Sequence, residues 1–249
     1  MSGIVGAILN GEAVNFSQLP RNETVENLRA DLQQVLTKQL LSGKTITFPR
    51  YLDGGAGVHK KYFLEAIGDK KYTNAYEWCA GHGEIGFELI TGNICQTLAF
   101  SDCYDKSTDW CLKNARALGI EDKITTFTSS IIGNAPFTNK FDLVIGNPPN
   151  SAGLNIPHIR DYFNPSASED DNFIHYQRIN TDLDFAAHRE FFDSLYKYVT
   201  NNADIFITVN IFNESYFKNL AMMTGFTIVR IIDMMPDDPH LKVFHFKPL

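Results

Sequence analysis

The sequence predicts an α/β fold: a doubly wound, mostly parallel seven-stranded sheet with a C-terminal antiparallel hairpin, plus a small N-terminal helical extension. Three observations carry this. From about residue 74, short apolar runs alternate with helical patterns, and repeated βα units imply a parallel sheet with helices on both faces. The last two runs, Phe226 to Ile232 and Lys242 to Phe246, have only Pro236-Asp237-Asp238-Pro239 between them, so they pair as an antiparallel hairpin. A chain of 249 residues, 44% hydrophobic, buries one sizeable core with at most a small appendage.

The first 20 residues are glycine-rich and weakly patterned, and no role is legible in them. Val25, Leu28, Leu32, Val35, Leu36 and Leu40 recur at helical spacing, with Asn22 or Thr24 as cap and Ser42-Gly43 as stop, which predicts one amphipathic helix. Lys44 to Phe48 reads as a short strand ended by Pro49. Asp53-Gly54-Gly55-Ala56-Gly57 reads as a mobile or tightly turned loop before a short helix from His59 to Ile67. The main sheet then follows in order. Its strands are Ala75 to Ala80, Thr97 to Ser101, Ile124 to Thr128, Phe141 to Ile145, Asp204 to Val209 and the two runs of the final hairpin. The helices between them are Gly83 to Ile90, Ser107 to Leu118, the long amphipathic Leu183 to Val199, and Glu214 to Met223 with Gly225 as its cap. Domain limits follow: an extension over residues 1–43 with one amphipathic helix, then the main domain over 44–249, interrupted by a long connection at 151–182.

Net charge is −7, from 29 acidic and 22 basic residues, so a long-range field that gathers a polyanion is not expected. Cys79, Cys95, Cys103 and Cys111 are spaced by 16, 8 and 8 residues. No C-x2-C pair occurs among them and several have apolar neighbours, which favours buried thiols over zinc; no metal is expected. Met1 to Leu9 lacks the basic start of a signal peptide, and no uncharged stretch reaches the roughly 18 apolar residues of a membrane span. A cytoplasmic protein with free thiols, monomeric or a homodimer and without a membrane partner, is the expectation.

The most informative feature is Asn147-Pro148-Pro149-Asn150, directly after the apolar run that ends the fourth strand. Open α/β sheets place ligand chemistry at the carboxyl ends of their strands. Two prolines have no N–H to donate and fixed φ angles, so the Asn147 side-chain oxygen and the Pro148 carbonyl form a rigid pair of acceptors suited to an NH2 group. Asn and Pro are also ordinary turn residues, and a plain strand-ending turn is the competing reading. Upstream, Glu77-Trp78-Cys79-Ala80-Gly81-His82-Gly83-Glu84-Ile85-Gly86 crosses the first strand-to-helix turn. Small residues there let backbone approach a ligand, and the helix start offers free N–H groups. Gly81, Gly83 and Gly86 have the G-x-G-x-x-G spacing of dinucleotide sites, although His82 and Glu84 crowd a pyrophosphate. Asp102 ends the second strand about 20 residues on, where a carboxylate accepts from ribose hydroxyls. Glu77 is placed to anchor a cationic ligand amine.

With these residues in view, Glu77 to Asn150 resembles the class I S-adenosylmethionine-dependent methyltransferases. By pattern it is most similar to the release-factor glutamine N5-methyltransferases and the ribosomal RNA guanine N2-methyltransferases. The resemblance implies a Rossmann-like methyltransferase fold with S-adenosyl-L-methionine as cofactor. It implies cofactor contacts at Glu77, Cys79, Ala80, Gly81, Gly83, Asp102, Cys103, Ser130 and Asn147, and catalysis at Asn147, Pro148, Pro149 and Asn150. Two departures stand out: Ser130 replaces the acidic residue that often meets the adenine amino group, and Asn150 replaces the aromatic that usually ends the signature. Stacking on a planar substrate then falls to another residue, such as Tyr162 or Phe163, or is absent. Residues 151–182, with Asn155, His158, Arg160, Asp161, Asp170, His175, Tyr176 and Arg178 besides, read as a substrate lid. The acceptor expected is an amide or amino nitrogen of a protein, peptide or small molecule. A nucleobase amine, a non-catalytic S-adenosylmethionine-binding protein and a dinucleotide oxidoreductase are the alternatives.

Overall fold

The computed structural model describes residues 33–54, 56–130, 132–134, 137, 139–150, 182 and 185–249. Two strands come first, β1 (Val35–Gln39) and β2 (Thr45–Pro49), paired antiparallel in a two-stranded sheet of their own. The helix expected from Val25 to Leu40 therefore does not run its length. Its residues 25–32 lie outside the described residues, and Val35 to Gln39 alternate exposed and half-buried positions as a strand does. The hairpin is set by distant contacts, because Phe48 at its far end is fully buried against the main domain.

A short 3-10 turn (Arg50–Leu52) leads to α1 (Ala56–Ile67), and the main sheet begins at β3 (Tyr72–Trp78). The elements that follow are α2 (Glu84–Thr91), β4 (Cys95–Asp102), α3 (Asp105–Ala117), β5 (Ile124–Thr128) and β6 (Phe141–Gly146). The remainder are α4 (Ala186–Leu195), β7 (Val199–Asn210), α5 (Glu214–Met223), β8 (Phe226–Asp233) and β9 (Leu241–Pro248). The seven strands lie in the order β5-β4-β3-β6-β7-β9-β8. All neighbours from β5 to β7 run parallel, while β9 is antiparallel to both β7 and β8. This is the predicted sheet with its terminal hairpin. Several boundaries move: α1 begins at Ala56, within the stretch expected as a loop, β3 runs from Tyr72 to Trp78 and not from Ala75 to Ala80, and the helix expected to reach Val199 stops at Leu195, with β7 beginning at Val199 and not at Asp204.

Both faces of the sheet are covered, which is why its central strands read as continuous apolar runs. Successive side chains point to opposite faces. Ala75, Leu143, Ile145 and Phe206 pack toward the β1–β2 hairpin, α1 and α2, whereas Tyr76, Trp78, Val144, Ile205 and Ile207 pack toward α4 and α5. On the second face the Trp78 ring lies flat on Phe191, with centroids 3.9 Å apart and planes 7° apart. Burying side chains of this kind stabilises the fold by about 1.5–3 kcal/mol each. Chain order reverses between β3 and β6: β4 and β5 follow on one side of β3, and β6 and β7 on the other. A ligand crevice opens at such a switch point, beyond the carboxyl ends of the strands.

Candidate active site

Trp78, the last residue of β3, pairs in register with Ser101 of β4 and Gly146 of β6, so three strand ends meet at one place. The chain then turns sharply. Cys79 takes a left-handed conformation (φ 54°), as do Gly81 (φ 54°) and Gly83 (φ 76°). For Cys79 this is a strained backbone, of a kind that costs on the order of 1–3 kcal/mol and clusters at functional sites. A side chain at Gly83 would also run into Phe100 and Cys111. Asp102 fastens the turn from the neighbouring strand: its Oδ2 accepts from Gly81 N–H (2.9 Å) and its Oδ1 from Tyr104 N–H (3.0 Å). A carboxylate offers about four acceptor positions, so two remain for hydroxyl donors. Ala80 is buried and Cys79 half-buried beside this carboxylate, Cys103 is exposed just beyond it, and the exposed Ser130 gives its carbonyl to the Trp78 indole N–H (3.0 Å).

Glu77 lies beneath the turn. It is 2% exposed, and its Oε2 accepts from Gly86 N–H (2.8 Å). Gly86 is required for that approach, since any Cβ there would collide with the carboxylate. Burial pushes the Glu77 carboxyl up to about 8, with Glu84 and Asp102 adding to the rise and the Gly86 N–H opposing it. His82 is buried in the opposite direction. Its ring stacks on Phe48 at 3.7 Å, Nδ1 meets the Leu52 carbonyl (2.9 Å), and Nε2 meets Glu84 Oε2 (3.0 Å). Burial alone would raise the Glu84 carboxyl, yet His82, Lys38 and Lys60 together hold it down at about 2. Lys38 and Lys60 each approach it to 3.0 Å, and Lys60 also reaches Glu88 (2.6 Å). The glycine turn is thus bolted to the β1–β2 hairpin and to α1, and His82 serves as a packing and bracing group.

The corner beyond β6 is equally fixed. Asn147 Nδ2 donates to the Gly54 carbonyl (3.2 Å), which sets the direction of its oxygen. That oxygen accepts from the Thr208 hydroxyl (2.7 Å) and lies 3.2 Å from His59 Nδ1. Asn150 takes the role of a clamp: Nδ2 donates to the Pro148 carbonyl (2.8 Å) and to Thr208 Oγ1 (3.0 Å), while its buried Oδ1 has no partner among the described residues. Both acceptors expected from the sequence therefore already have protein donors. The Pro148 carbonyl retains one lone pair; Asn147 Oδ1 has neither to spare unless a donor gives way.

Three residues of this corner, Gly54, His59 and Thr208, are ones that reading the sequence for motifs does not pick out. Thr208 had a visible sign, a hydroxyl within the apolar run Ile205 to Val209, and it is fully buried. His59 and Gly54 had none, because their contacts arise only in the folded chain. Tyr162, Phe163 and the other residues expected in a lid at 151–182 lie outside the described residues, apart from Asp182. That carboxylate accepts from the backbone N–H groups of Ala187 and His188 at the start of α4 and meets His188 Nδ1 at 2.6 Å. Among the described residues, no three His, Cys, Asp or Glu side chains gather as a metal-binding group, and the four cysteines are free thiols. No described helix is long and apolar enough to cross a membrane.

No protein-family profile and no curated protein sequence matches the chain. Solved structures do. The 16S rRNA N2 methyltransferase RsmC of T. thermophilus, in complex with AdoMet and guanosine, superposes with a TM-score of 0.57 at 13% identity, over 87% of this chain and 50% of that one. Ribosomal protein L11 methylase from Lactobacillus delbrueckii subsp. bulgaricus gives 0.53 at 12% identity, over 76% of each chain. An S-adenosylmethionine-dependent methyltransferase from Clostridium acetobutylicum gives 0.53 at 8% identity, over 79% of this chain and 93% of that one. The chain has the fold of the class I S-adenosylmethionine-dependent methyltransferases. Within this fold, the glycine turn after β3, Asp102 at the end of β4 and Asn147-Pro148-Pro149-Asn150 after β6 stand at neighbouring strand ends, at the point where the strand order reverses.

Proposed function

We propose that the chain is an S-adenosylmethionine-dependent N-methyltransferase whose acceptor is an amino or amide nitrogen of a protein, peptide or small molecule. The observation that carries this is the pairing of Trp78 with Gly146, which sets Asn147-Pro148-Pro149-Asn150 beside the glycine turn of β3. The residues present suit the cofactor. Asp102 has acceptor capacity left for two ribose hydroxyls, the turn at Cys79, Ala80 and Gly81, left-handed at Cys79 and Gly81, lets backbone approach closely, and Gly83, Cys103, Ser130 and Asn147 complete the rim. Glu77 acts from below, by holding the first turn of α2 in place through Gly86. When bound, S-adenosylmethionine supplies a methyl group made electrophilic by its positive sulfur.

The protein's own contribution is position and polarity. A nitrogen seated on the Pro148 carbonyl and Asn147 Oδ1 has its remaining lone pair fixed in direction, so orientation is supplied before reaction. As that nitrogen becomes cationic, both oxygens interact with it more strongly, which lowers the barrier selectively. Of the two donors now on Asn147, the His59 contact is the longer, so it is the one that yields. A second reading, transfer to a nucleobase amine, is favoured by one observation: RsmC, with the same fold, was determined with guanosine. The net charge of −7 weighs against it, since phosphate contacts dominate nucleic-acid affinity. The deciding experiment offers tritiated-methyl S-adenosylmethionine with proteins, RNA and small amines from the native cell. Label in none of the three fractions would refute the enzyme reading.

A further inference from the structure

His59 belongs to no sequence motif, yet it stands between two acceptors drawn from distant parts of the chain. On one side, Nδ1 lies 3.2 Å from Asn147 Oδ1 at the end of β6. On the other, Nε2 lies 3.6 Å from Asp238 Oδ2, in the turn between β8 and β9, within ion-pair range but beyond a hydrogen bond. His59 is buried, at 8% exposed. Asp238 is held in place, because its Oδ1 accepts from the N–H groups of His240 (3.1 Å) and Leu241 (3.2 Å), which leaves Oδ2 facing the ring. Asn147 is held as well, by Gly54 on its nitrogen and Thr208 on its oxygen. The imidazole therefore has a carboxylate near one ring nitrogen and the proposed nitrogen-binding oxygen near the other, and both neighbours are anchored by other groups.

Resting on the proposed N-methyltransferase function, we propose that His59 is the proton acceptor of the reaction, oriented and electrostatically supported by Asp238. A nitrogen that has gained a methyl group is cationic and carries an N–H that must be lost. A target N–H directed at Asn147 Oδ1 reaches the neighbourhood of Nδ1, because the two atoms are 3.2 Å apart. In the free protein, a hydrogen on Nδ1 makes that contact a bond to Asn147. When the target N–H takes over the oxygen, the neutral ring carries its hydrogen on Nε2, toward Asp238, and turns the Nδ1 lone pair to the target. The N–H bond then breaks, its electron pair stays on nitrogen, and the proton bonds to Nδ1. The resulting imidazolium has a hydrogen for each neighbour, Asn147 on one side and Asp238 on the other. A carboxylate behind an imidazole is a general device for fixing the tautomer and stabilising the charged ring.

Two measurements test this. The first needs no substrate: long-range proton–nitrogen NMR of His59 in the full chain reads which ring nitrogen carries the hydrogen. The expected result is Nδ1–H in wild type and a shift to Nε2–H in Asn147→Ala, where Asp238 is the acceptor left to the ring among the described residues. A ring that keeps its hydrogen on Nδ1 in that variant overturns the proposal. The second uses tritiated-methyl S-adenosylmethionine with a glutamine-containing peptide, guanosine and adenosine, taking whichever acceptor the wild type methylates. His59→Gln keeps a hydrogen-bonding group but takes no proton, and turnover is expected to fall by about a hundredfold or more, with S-adenosylmethionine affinity by calorimetry unchanged. His59→Ala should regain part of the loss in added imidazole. Wild-type turnover in His59→Gln, or a loss that imidazole does not restore, overturns the proton-acceptor role and leaves the methyltransferase reading standing. A wild-type protein that neither binds S-adenosylmethionine nor transfers a methyl overturns both.

Discussion

Thr208 donates its hydroxyl hydrogen to Asn147 Oδ1 across 2.7 Å, and the same oxygen of Thr208 accepts from Asn150 Nδ2 at 3.0 Å. One buried hydroxyl on β7 thus ties together the first and last residues of the signature after β6. Thr208→Val keeps the shape and removes both bonds, which leaves the Asn147 oxygen and the Asn150 amide short of partners. The expected cost is about 1–3 kcal/mol of folding stability, read as a lower urea midpoint at unchanged slope. Thr208→Ser should restore most of it. Equal midpoints for Thr208→Val and wild type would show that water replaces the hydroxyl at no cost.

Asp102 has two tasks in this arrangement, the fastening of the glycine turn and the proposed hold on ribose. Asp102→Ala removes the acceptor for Gly81 and Tyr104 together with the site for hydroxyl donors. S-adenosylmethionine affinity should weaken by about 1–3 kcal/mol, the scale of a lost charge-assisted bond in a closed site. Calorimetry on wild type and variant checks this, with NAD as the comparison ligand. Stronger binding of NAD than of S-adenosylmethionine would count against the cofactor assignment itself.

The sheet was legible because its signals are local. Ile124 to Thr128 and Glu214 to Met223 keep the same ends in sequence and structure, since each is bounded by its own turn residues. The β1–β2 hairpin was not legible. Val35 and Leu36 continue the helical spacing of Val25 to Leu32, and contacts far along the chain, Phe48 on His82 and the Thr47 backbone on the Asn114 side chain, hold these residues in a hairpin. The end of α4 was obscured similarly, because Val199 continues the helical spacing of Phe191, Phe192 and Leu195 although it opens the next strand. At the candidate site, the sequence displays Asn147 but not what holds it. Its partners stand 93, 88 and 61 residues away, at Gly54, His59 and Thr208. Motifs are contiguous; the hydrogen bonds that aim them are not.

Two buried glutamates shape the pH dependence of stability in opposite directions. Glu77 is raised from 4.5 to about 8 by burial, so the folded state holds its proton more tightly than the unfolded chain does. That contribution is complete below pH 4.5 and is lost as pH rises through about 8. Glu84 is lowered from 4.5 to about 2: burial, the largest single influence, opposes the shift, and His82, Lys38 and Lys60 outweigh it. Its contribution is present above pH 4.5 and is lost as pH falls through about 2. Glu77→Gln keeps an oxygen for the Gly86 N–H and should flatten the alkaline decline. Glu84→Gln should flatten the acid one. Urea midpoints across both windows check this, and a Glu77→Gln profile parallel to wild type would contradict the assignment.

Asn147 separates an enzyme from a binding protein. If its oxygen accepts from the target nitrogen, the interaction grows as that nitrogen becomes cationic, so Asn147→Ala should act mainly on turnover, by about a hundredfold or more, with cofactor affinity nearly unchanged. The same substitution also releases Gly54, Thr208 and His59, so its urea midpoint must be measured beside its rate. Pro148→Ala should be milder, because the carbonyl survives and only backbone stiffness is reduced. Asn150→Ala frees the Pro148 carbonyl and one side of Thr208 without touching the Asn147 oxygen, so its effect on turnover should lie below that of Asn147→Ala. Steady-state kinetics on the three variants, with the acceptor found by the methyl-transfer screen, give the order. Full turnover in a well-folded Asn147→Ala would make the signature a brace between β6, β7 and the loop before α1, and would move the nitrogen pocket elsewhere in the crevice.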